Sequence, residues 1–493
     1  MTGTPRGKRW KTLDKDLGRI SQIEYATSHV ARPLVAPGVA LVFMAAAGLV
    51  AAVSLGQSPA SLVVVAAAVF GAYMALNIGA NDVANNMAPA VGANALTMGG
   101  AIAIAAVCES AGALLAGGDV VATISKDIID PAGIAAPGTF IWAMMAALMS
   151  AALWINLATW VGAPVSTTHS VVGGVMGAGI AAAGLTAVSW PTMAAIAASW
   201  VISPVLGGAI AAAFLALIKA RIIYRDDKIT AARRWVPVLV AIMAGAFAAY
   251  LALKGLKRIV RIDISTSLAI GLAASVIVYA LTRPLIRHQS EGMENRNKSL
   301  KALFRLPLIL SAALLSFAHG ANDVANAVGP LAAIVHAARD GAAAGSVTIP
   351  AWVMVIGAFG ISFGLFLFGP RLIRMVGSQI TKLNPMRAYC VALSAAITVI
   401  VASWLGLPVS STHIAVGAVF GVGFFREWHN ERRFRRNNAH RAPEKRIAPE
   451  ERRRRKLVRR SHFMTIIAAW LVTVPAAALL SGTMFLLLRQ VAI

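Results

Sequence analysis

The sequence predicts an all-α polytopic membrane protein with about 12–13 transmembrane helices, arranged as two inverted-topology repeats whose broken helices meet at the membrane midplane. Three observations support this fold class: the composition, a series of long apolar stretches, and two motifs that each occur twice. Of the 493 residues, 58% are hydrophobic and only 13% are charged, and the mean hydropathy is +0.72. A water-soluble chain of this length needs a larger charged surface, so the composition excludes a soluble globular protein.

Thirteen apolar stretches are long enough to cross the hydrocarbon core of a bilayer as helices. They are 34–55, 61–95, 97–116, 138–160, 164–184, 191–219, 236–253, 264–282, 306–336, 350–369, 387–405, 408–425 and 463–488. Thirteen spans place all four basic regions of the chain in the cytoplasm, as the positive-inside rule requires. These regions are 1–32, 219–234, 283–305 and 426–462. The N-terminus is then cytoplasmic and the C-terminus outside, and only the basic loop at 254–261 disagrees with the rule.

The net charge of +25 is therefore interpreted as topological, and we expect no nucleic-acid partner. Residues 1–32 mix acidic with basic side chains, and no cleavage site follows the first apolar stretch, so we expect no cleaved signal. The expected location is the inner or plasma membrane of the cell. The basic run at 452–456 suits anionic headgroups, which makes membrane lipids expected partners.

Two motifs occur twice in the chain. The sequence GANDVAN at 79–85 recurs at 320–326, and PVSTTH at 164–169 recurs as PVSSTH at 408–413. The glycines that follow the second motif also repeat: Gly173, Gly177 and Gly179 match Gly417, Gly421 and Gly423. In the predicted threading the two copies of each motif run in opposite directions, which indicates inverted repeats. Secondary transporters are typically built this way, with the substrate site near the midplane where the repeats meet.

This repeat divides the chain into seven regions. They are a basic cytoplasmic tail (1–32), an extra N-terminal span (33–57), a first transport repeat (58–219), connecting spans and cytoplasmic loops (220–304), a second, inverted transport repeat (305–425), a basic cytoplasmic loop (426–462) and a last span (463–493).

The GANDVAN motif places a carboxylate inside an apolar segment, where an unpaired charge is costly. Each aspartate has asparagines at positions −1 and +3, its neighbours on a helix or on a helix broken at the preceding glycine. The residues are Asn81, Asp82 and Asn85 in the first copy and Asn322, Asp323 and Asn326 in the second. Such oxygen clusters suit a proton or a small cation, for example sodium at Asp82 and Asp323. The alternative is a network that only joins helices, and the identical spacing of two copies favours function.

The second motif predicts an anion site at the start of a half-helix. Its hydroxyls and the positive end of the helix dipole would meet at one point, so the site needs no arginine. The hydroxyl residues are Ser166, Thr167 and Thr168 in the first copy and Ser410, Ser411 and Thr412 in the second. The alternative is that these side chains cap the helices without a ligand. His169 and His413 follow directly, and we expect their rings to orient the hydroxyls or to titrate near neutral pH.

Glu109 is a third acid within an apolar stretch, and its counterpart in the second repeat is Ile361. An asymmetric buried acid beside such a site is a candidate proton carrier, and the alternative is a hydrogen bond to a neighbouring helix. The two cysteines, Cys108 and Cys390, also lie in apolar stretches and predict neither a disulfide nor a metal set.

The paired GANDVAN and PVS-[ST]-TH motifs resemble those of the PiT family of inorganic phosphate transporters, and the sequence SKDIID at 125–130 resembles the segment after the first motif in that family. The resemblance covers about 61–425 and the last span. It implies a cation-driven symporter that imports phosphate, with sulfate carried by some members, and assembly as a dimer or larger oligomer. It also implies the anion and coupling residues already described, with no catalytic activity and no cofactor beyond the coupling ion.

Two departures from the family bear on the coupling ion and the branch. The span at 34–55 resembles an addition in the plastid-type branch. Animal members carry an acid where this chain has Ala392, which favours protons over sodium, with phosphate carried alone or as a metal–phosphate complex.

Sulfate symport is the alternative within this class. The alternative from another class is an intramembrane lipid-phosphate hydrolase that uses His169 or His413 with Asp82, but neither motif contains the basic residues that usually hold a phosphoryl group.

Overall fold

The computed structural model describes residues 34–56, 61–130, 134, 136–161, 165–255, 262–340, 349–379, 384–438 and 460–491. The predicted tail at 1–32, the loop residues 256–261, Pro164 and most of the basic loop at 426–462 lie outside this part of the chain. Within it the protein is helical, with one isolated bridge between Ile129 and Val188. The all-α prediction is confirmed.

The helices follow one another along the chain from α1 to α17. They are α1 (Leu34–Leu55), α2 (Ser61–Asn81), α3 (Val83–Gly92), α4 (Met98–Ala116), α5 (Gly118–Ala122), α6 (Pro137–Val161), α7 (Thr167–Ala183), α8 (Trp190–Ile218), α9 (Lys228–Tyr250), α10 (Ile264–Gln289), α11 (Asn297–Leu303), α12 (Arg305–Asp323), α13 (Ala325–Asp340), α14 (Ala351–Gln379), α15 (Pro385–Trp404), α16 (Ser411–Asn438) and α17 (Arg460–Val491).

Among the described residues, 11 helical stretches are long and apolar enough to cross a membrane. The predicted spans at 164–184 and 408–425 are not among them. Helix α7 has only 17 residues, so it is about 26 Å long, less than the roughly 30 Å of hydrocarbon in a bilayer. Helix α16 begins at Ser411 and continues into a charged sequence. Both helices start inside the protein, and neither contains an apolar stretch of full spanning length, which explains the difference from the thirteen predicted spans.

The GANDVAN motifs interrupt two long helices. Helix α2 ends at Asn81 and α3 begins at Val83, while α12 ends at Asp323 and α13 begins at Ala325. The interruption comes after the glycine, at Asp82 and Val324, and both of these residues keep right-handed helical dihedral angles. The breaks are therefore slight and do not fall at Gly79 and Gly320.

Those two glycines instead allow the halves of the protein to touch. A Cβ atom on Gly79 would lie 1.9 Å from the carbonyl oxygen of Ile361, and one on Gly320 would lie 2.1 Å from that of Glu109. No side chain fits at either contact. Ile361 and Glu109 thus occupy corresponding places, which is the correspondence that the alignment of the two repeats predicts.

Helices of one half also pack on helices of the other half. Helix α2 packs on α14 and α12 on α4, while α7 packs on α17 and α16 on α8. These four contacts form two corresponding pairs, which is the pattern expected of two repeats related by a two-fold axis. The first turns of α7 and α16 meet α3 and α12 in the centre, and this arrangement places both motifs in the core.

The basic loop that breaks the positive-inside rule has a partner in the structure. Lys254 forms an ion pair with Asp119, which lies in α5 after the fourth helix. The predicted threading puts both residues on the outer side. The acid therefore offsets one of the charges that the rule disfavours there.

The repeated glycines of α7 and α16 determine how closely these helices pack. A Cβ atom on Gly177 would lie 2.1 Å from the carbonyl oxygen of Ala478 in α17, and one on Gly421 would lie 2.1 Å from that of Gly208 in α8. Backbone-to-backbone approach of this kind is typical of helices packed in lipid.

Gly177→Ala is therefore expected to destabilise the protein by about 1–3 kcal/mol, because two backbones must separate to admit one methyl group. Thermal unfolding of the purified variant in detergent measures this. Gly99→Ala is the matched control, because no heavy atom lies within 4 Å of the Cβ position there. Equal melting temperatures for the two variants would contradict the tight α7–α17 contact.

Candidate functional site

The first turns of α7 and α16 begin with serine caps. Ser166 Oγ accepts a hydrogen bond from the backbone N–H of His169 at 3.2 Å. Ser410 Oγ accepts one from the N–H of His413 at 3.3 Å. These two serines thus cap their helices, which is the alternative that the sequence left open. The hydroxyls that reach the acidic residues come from the positions that follow.

Asp82 and Asp323 accept hydrogen bonds from those hydroxyls. Thr167 Oγ1 donates to Asp82 Oδ2 at 2.6 Å, and Ser411 Oγ donates to Asp323 Oδ2 at 2.9 Å. Thr412 Oγ1 donates to the other oxygen of Asp82, at 3.1 Å. All five side chains are buried. The predicted anion site and the predicted coupling site therefore form one hydrogen-bonded network.

Asparagines extend this network across the two halves. Asn85 Nδ2 donates to Thr412 Oγ1 at 2.9 Å, and Asn326 Nδ2 donates to Thr168 Oγ1 at 3.2 Å. The two pairs occupy corresponding positions in the repeats, so the asparagine of each half donates a hydrogen bond to a threonine hydroxyl of the other half. Thr168 in turn donates to the carbonyl oxygen of Val409, at 3.0 Å.

The asparagines before the acids differ between the repeats. Asn322 donates to Ser403 Oγ at 3.0 Å and to the carbonyl oxygen of Leu407 at 3.1 Å, and accepts from the N–H of Val409 at 3.2 Å. It thereby fixes the segment that leads into α16. Asn81 is partly buried at the end of α2 and makes no side-chain hydrogen bond to a described residue. The structure does not bring Asn81 into the network.

A histidine that the sequence analysis did not select lies at the centre of the acids. His319 Nε2 is 2.8 Å from Asp323 Oδ2, and its Nδ1 is 3.0 Å from Glu109 Oε2. These are ion-pair distances, although neither contact has the angle of a hydrogen bond. Glu109 also accepts a hydrogen bond from Asn86 Nδ2 at 3.0 Å. The hydrogen bond to a neighbouring helix, which the sequence analysis left open as the alternative, is therefore present, and Glu109 is also the end of a row that leads through His319 to Asp323.

This row needs a proton beyond those of a neutral histidine. A neutral imidazole has one N–H group and one lone pair, so one nitrogen would face the lone pairs of a carboxylate. Protonation of both ring nitrogens, or of one carboxyl group, removes that repulsion. Glu109, His319 and Asp323 are thus able to hold and pass a proton inside the protein.

Asp82 and Asp323 lie close enough to require a counter-charge. Oxygen atoms of both acids and a ring nitrogen of His319 lie within 4.8 Å of one another, a grouping that can hold a metal ion. Two unit charges about 4.8 Å apart repel by roughly 3–4 kcal/mol at an effective dielectric constant of about 20. Two further buried oxygens, Asp323 Oδ1 and Asn326 Oδ1, have no hydrogen-bond donor among the described residues. Hard oxygens of this kind fit Na⁺ or a proton.

The rings of His169 and His413 lie outside this network. They contact each other with ring centroids 4.4 Å apart. His169 lies against Trp200 at a tilt of 40°, with centroids 3.8 Å apart, and His413 stacks on Trp470 at 3.5 Å. None of their ring nitrogens has a hydrogen-bond partner among the described residues. The structure does not show the side-chain contact to the hydroxyls that the predicted orienting role needs. The backbone N–H groups of these histidines make that contact instead.

A cavity of about 1050 Å³ lies behind these rings, between α8, α16 and α17. Apart from the histidines and tryptophans, its lining side chains are apolar, as at Val205, Val416 and Leu471. An anion there would lose its hydration and would gain few donors, namely the N–H groups of those rings. The cavity is therefore not a phosphate site.

The sequence contains a signal for Asn86 and His319, the two site residues that the sequence analysis did not select. Asn86, Glu109 and His319 are polar, whereas the aligned positions in the other repeat are Ala327, Ile361 and Ile78. Polar residues that break the repeat therefore gather on one side of the site. A comparison of the two repeats position by position would have selected His319 along with Glu109.

The fold and the site together define a class of protein. Duplicated helical halves enclose a buried cluster of acids, amides and hydroxyls within a bundle of membrane-spanning length, the arrangement of a secondary transporter. The sequence pattern of the phosphate transporter family matches residues 78–481. The chain therefore belongs to the phosphate transporter family.

Similar proteins agree with this assignment. A Helicobacter pylori strain J99 protein named "Putative phosphate permease" is 45% identical, with 96% of this chain and 98% of that protein covered. The Arabidopsis thaliana "Inorganic phosphate transporter 2-1, chloroplastic" is 36% identical, with 87% and 73% covered. A solved structure described as "The sodium-dependent phosphate transporter" superposes with a TM-score of 0.78 at 35% identity, covering 87% of this chain and all of that one.

Proposed function

We propose that the protein imports inorganic phosphate across the cell membrane by symport with a cation. The observation that carries this proposal is that the hydroxyls of Thr167, Ser411 and Thr412 are bonded to Asp82 and Asp323. A phosphate ion and the two carboxylates therefore compete for the same donors. A cation on the carboxylates weakens their hold on the hydroxyls, which then turn to phosphate. Binding of the cation and of the anion are thus linked, and this linkage is coupling.

The proton is the favoured coupling ion. The Glu109–His319–Asp323 row supports this choice, because it places an imidazole ring within 3.0 Å of two buried carboxyl groups, one of which is the coupling acid Asp323. Sodium is the second candidate, and the similarity to a solved sodium-dependent phosphate transporter supports it. The cargo is phosphate alone or a metal–phosphate complex.

Phosphate is favoured over sulfate as the substrate because phosphate carries a proton that a carboxylate of the site can accept in a hydrogen bond. At neutral pH phosphate keeps at least one hydroxyl group, whereas sulfate has none. The hydroxyl donors of the site serve either anion, but a carboxylate acceptor discriminates between them. Sulfate beside Asp82 or Asp323 would set lone pairs against lone pairs and leave a buried acceptor unpaired, at a cost of about 1–3 kcal/mol.

The proposal includes a location and an assembly. We place the protein in the inner or plasma membrane, with a cytoplasmic N-terminus and an outer C-terminus, as a dimer or larger oligomer. Helices α1 and α10 present mostly exposed apolar side chains. Such faces suit contact with lipid or with another subunit.

Competition measures the substrate preference. Cells or proteoliposomes that contain the protein are expected to take up labelled phosphate, with arsenate inhibiting because it is also protonated. A large excess of sulfate is expected to reduce uptake very little. Inhibition by sulfate as strong as that by unlabelled phosphate would move the assignment to a sulfate symporter, and release of phosphate from a lipid substrate would favour a hydrolase.

A further inference from the structure

A second polar pocket lies where α8, α11, α15 and α16 come together, apart from the buried cluster. Its volume is about 330 Å³, and its charged lining residues are Lys219, Lys301, Arg387 and Arg426. No acidic side chain is among the residues that line it. Three of the basic regions, 219–234, 283–305 and 426–462, each contribute to this one cavity.

The positive-inside rule explains why these charges lie on one side of the membrane but not why they meet in a cavity. Arg387 and Arg426 are partly buried, and neither forms an ion pair with a described residue. The ammonium of Lys219 is also held in place, 5.2 Å from the ring centroid of Phe425. Two partly buried guanidinium groups that share a pocket, as Arg387 and Arg426 do, repel one another unless an anion lies between them.

We propose that this pocket binds a phosphate group. Two guanidinium groups offer planar forks that match phosphate oxygens, and the lysines add charge. The N-terminus of α15, where Asn384 caps the backbone N–H of Arg387 at 3.0 Å, contributes the positive end of a 20-residue helix. The volume suits a phosphate monoester or diester. An anionic phospholipid headgroup and free inorganic phosphate both present this chemistry.

A phosphate group in this pocket would contact α15 and α16, two helices that also contribute to or pack against the buried site. Helix α15 packs on α12, which carries His319 and Asp323, and α16 begins at Ser411. A bound phosphate group is therefore expected to stabilise the fold. The pocket shares no residue with the transport site, so the proposal stands independently of the transport function.

Thermal unfolding of the purified full-length protein in neutral detergent tests the proposal. Short-chain phosphatidylglycerol and inorganic phosphate are titrated separately, with phosphatidylcholine as the neutral blank. The test variant is Arg387→Gln with Arg426→Gln. The matched control, Arg283→Gln with Arg287→Gln, removes two exposed charges from one of the same basic regions without touching the pocket.

The pocket variant is expected to need about tenfold more of the pocket's ligand than the control to reach the same rise in melting temperature. A difference in the phosphatidylglycerol arm identifies the lipid headgroup, and one in the inorganic phosphate arm identifies the free ion. Lys301→Gln changes an exposed side chain, so it retains the fold and is expected to weaken the same response about threefold. If pocket and control variants respond alike to both ligands, and Lys301→Gln responds like the parent, the proposal is wrong.

Discussion

Asp82→Asn and Asp323→Asn are each expected to abolish gradient-driven phosphate accumulation, down to the level of liposomes without protein. Asparagine has the same shape and keeps an oxygen for the Thr167 or Ser411 hydroxyl, so the fold survives. It carries no charge, however, and cannot attract the coupling cation to the site. Uptake of labelled phosphate into proteoliposomes, with folding checked by thermal unfolding, measures the effect.

Asp226→Asn is the matched control for these variants. Asp226 is an exposed acid between α8 and α9, so the same chemical change there is expected to leave uptake unaltered. Accumulation at the parent's level by either buried variant would show that the acid does not couple transport.

Replacing Glu109 and His319 with the apolar residues found at the corresponding positions of the other repeat is expected to uncouple phosphate transport from the cation gradient. Glu109→Ile with His319→Ile reproduces the residues found at Ile361 and Ile78, both of which are fully buried. The double variant is expected to fold, to exchange labelled phosphate across the membrane, and to lose accumulation driven by a proton gradient. Glu109→Gln alone, which keeps the shape of the acid, is expected to show the same separation of exchange from accumulation.

The single variants show whether a loss of function comes from the lost charge pair between Glu109 and His319 or from disturbed packing. His319→Ile alone leaves Glu109 buried without its counter-charge, which destabilises a protein by about 3–5 kcal/mol. The double variant removes both charges and is therefore expected to be more stable than this single variant. Accumulation by the double variant at the parent's rate would contradict the role of the row. Loss of exchange together with accumulation in a folded Glu109→Gln variant would place Glu109 in binding or in the conformational cycle.

The sequence predicts much of this architecture because the membrane restricts the possibilities. Long apolar stretches must be helical in lipid, and motifs such as GANDVAN at 79–85 and 320–326 expose the repeat directly. Serine caps at Ser166 and Ser410 follow from local chemistry alone, so the starts of α7 and α16 are readable from the chain.

The remainder depends on contacts between distant segments. Nothing local to Thr412 indicates that its hydroxyl reaches Asp82, 330 positions away. The position of His319 between Glu109 and Asp323 arises from the packing of α4 on α12, which Gly112 and Gly320 permit by backbone contact. Span counting fails at α7 for a related reason, because a 17-residue helix that is capped inside the protein has the composition of a span without its length.

The central claim is that phosphate crosses the membrane together with a cation bound among Asp82, His319 and Asp323. Radiolabelled phosphate uptake into proteoliposomes, with proton and sodium gradients imposed separately, tests it most directly. The account predicts concentrative uptake under an inward proton gradient, abolished by a protonophore, and no accumulation without a cation gradient. Accumulation under a sodium gradient alone would select the second coupling ion. Equilibration of phosphate at the same rate and to the same level with and without either gradient would contradict cation coupling altogether.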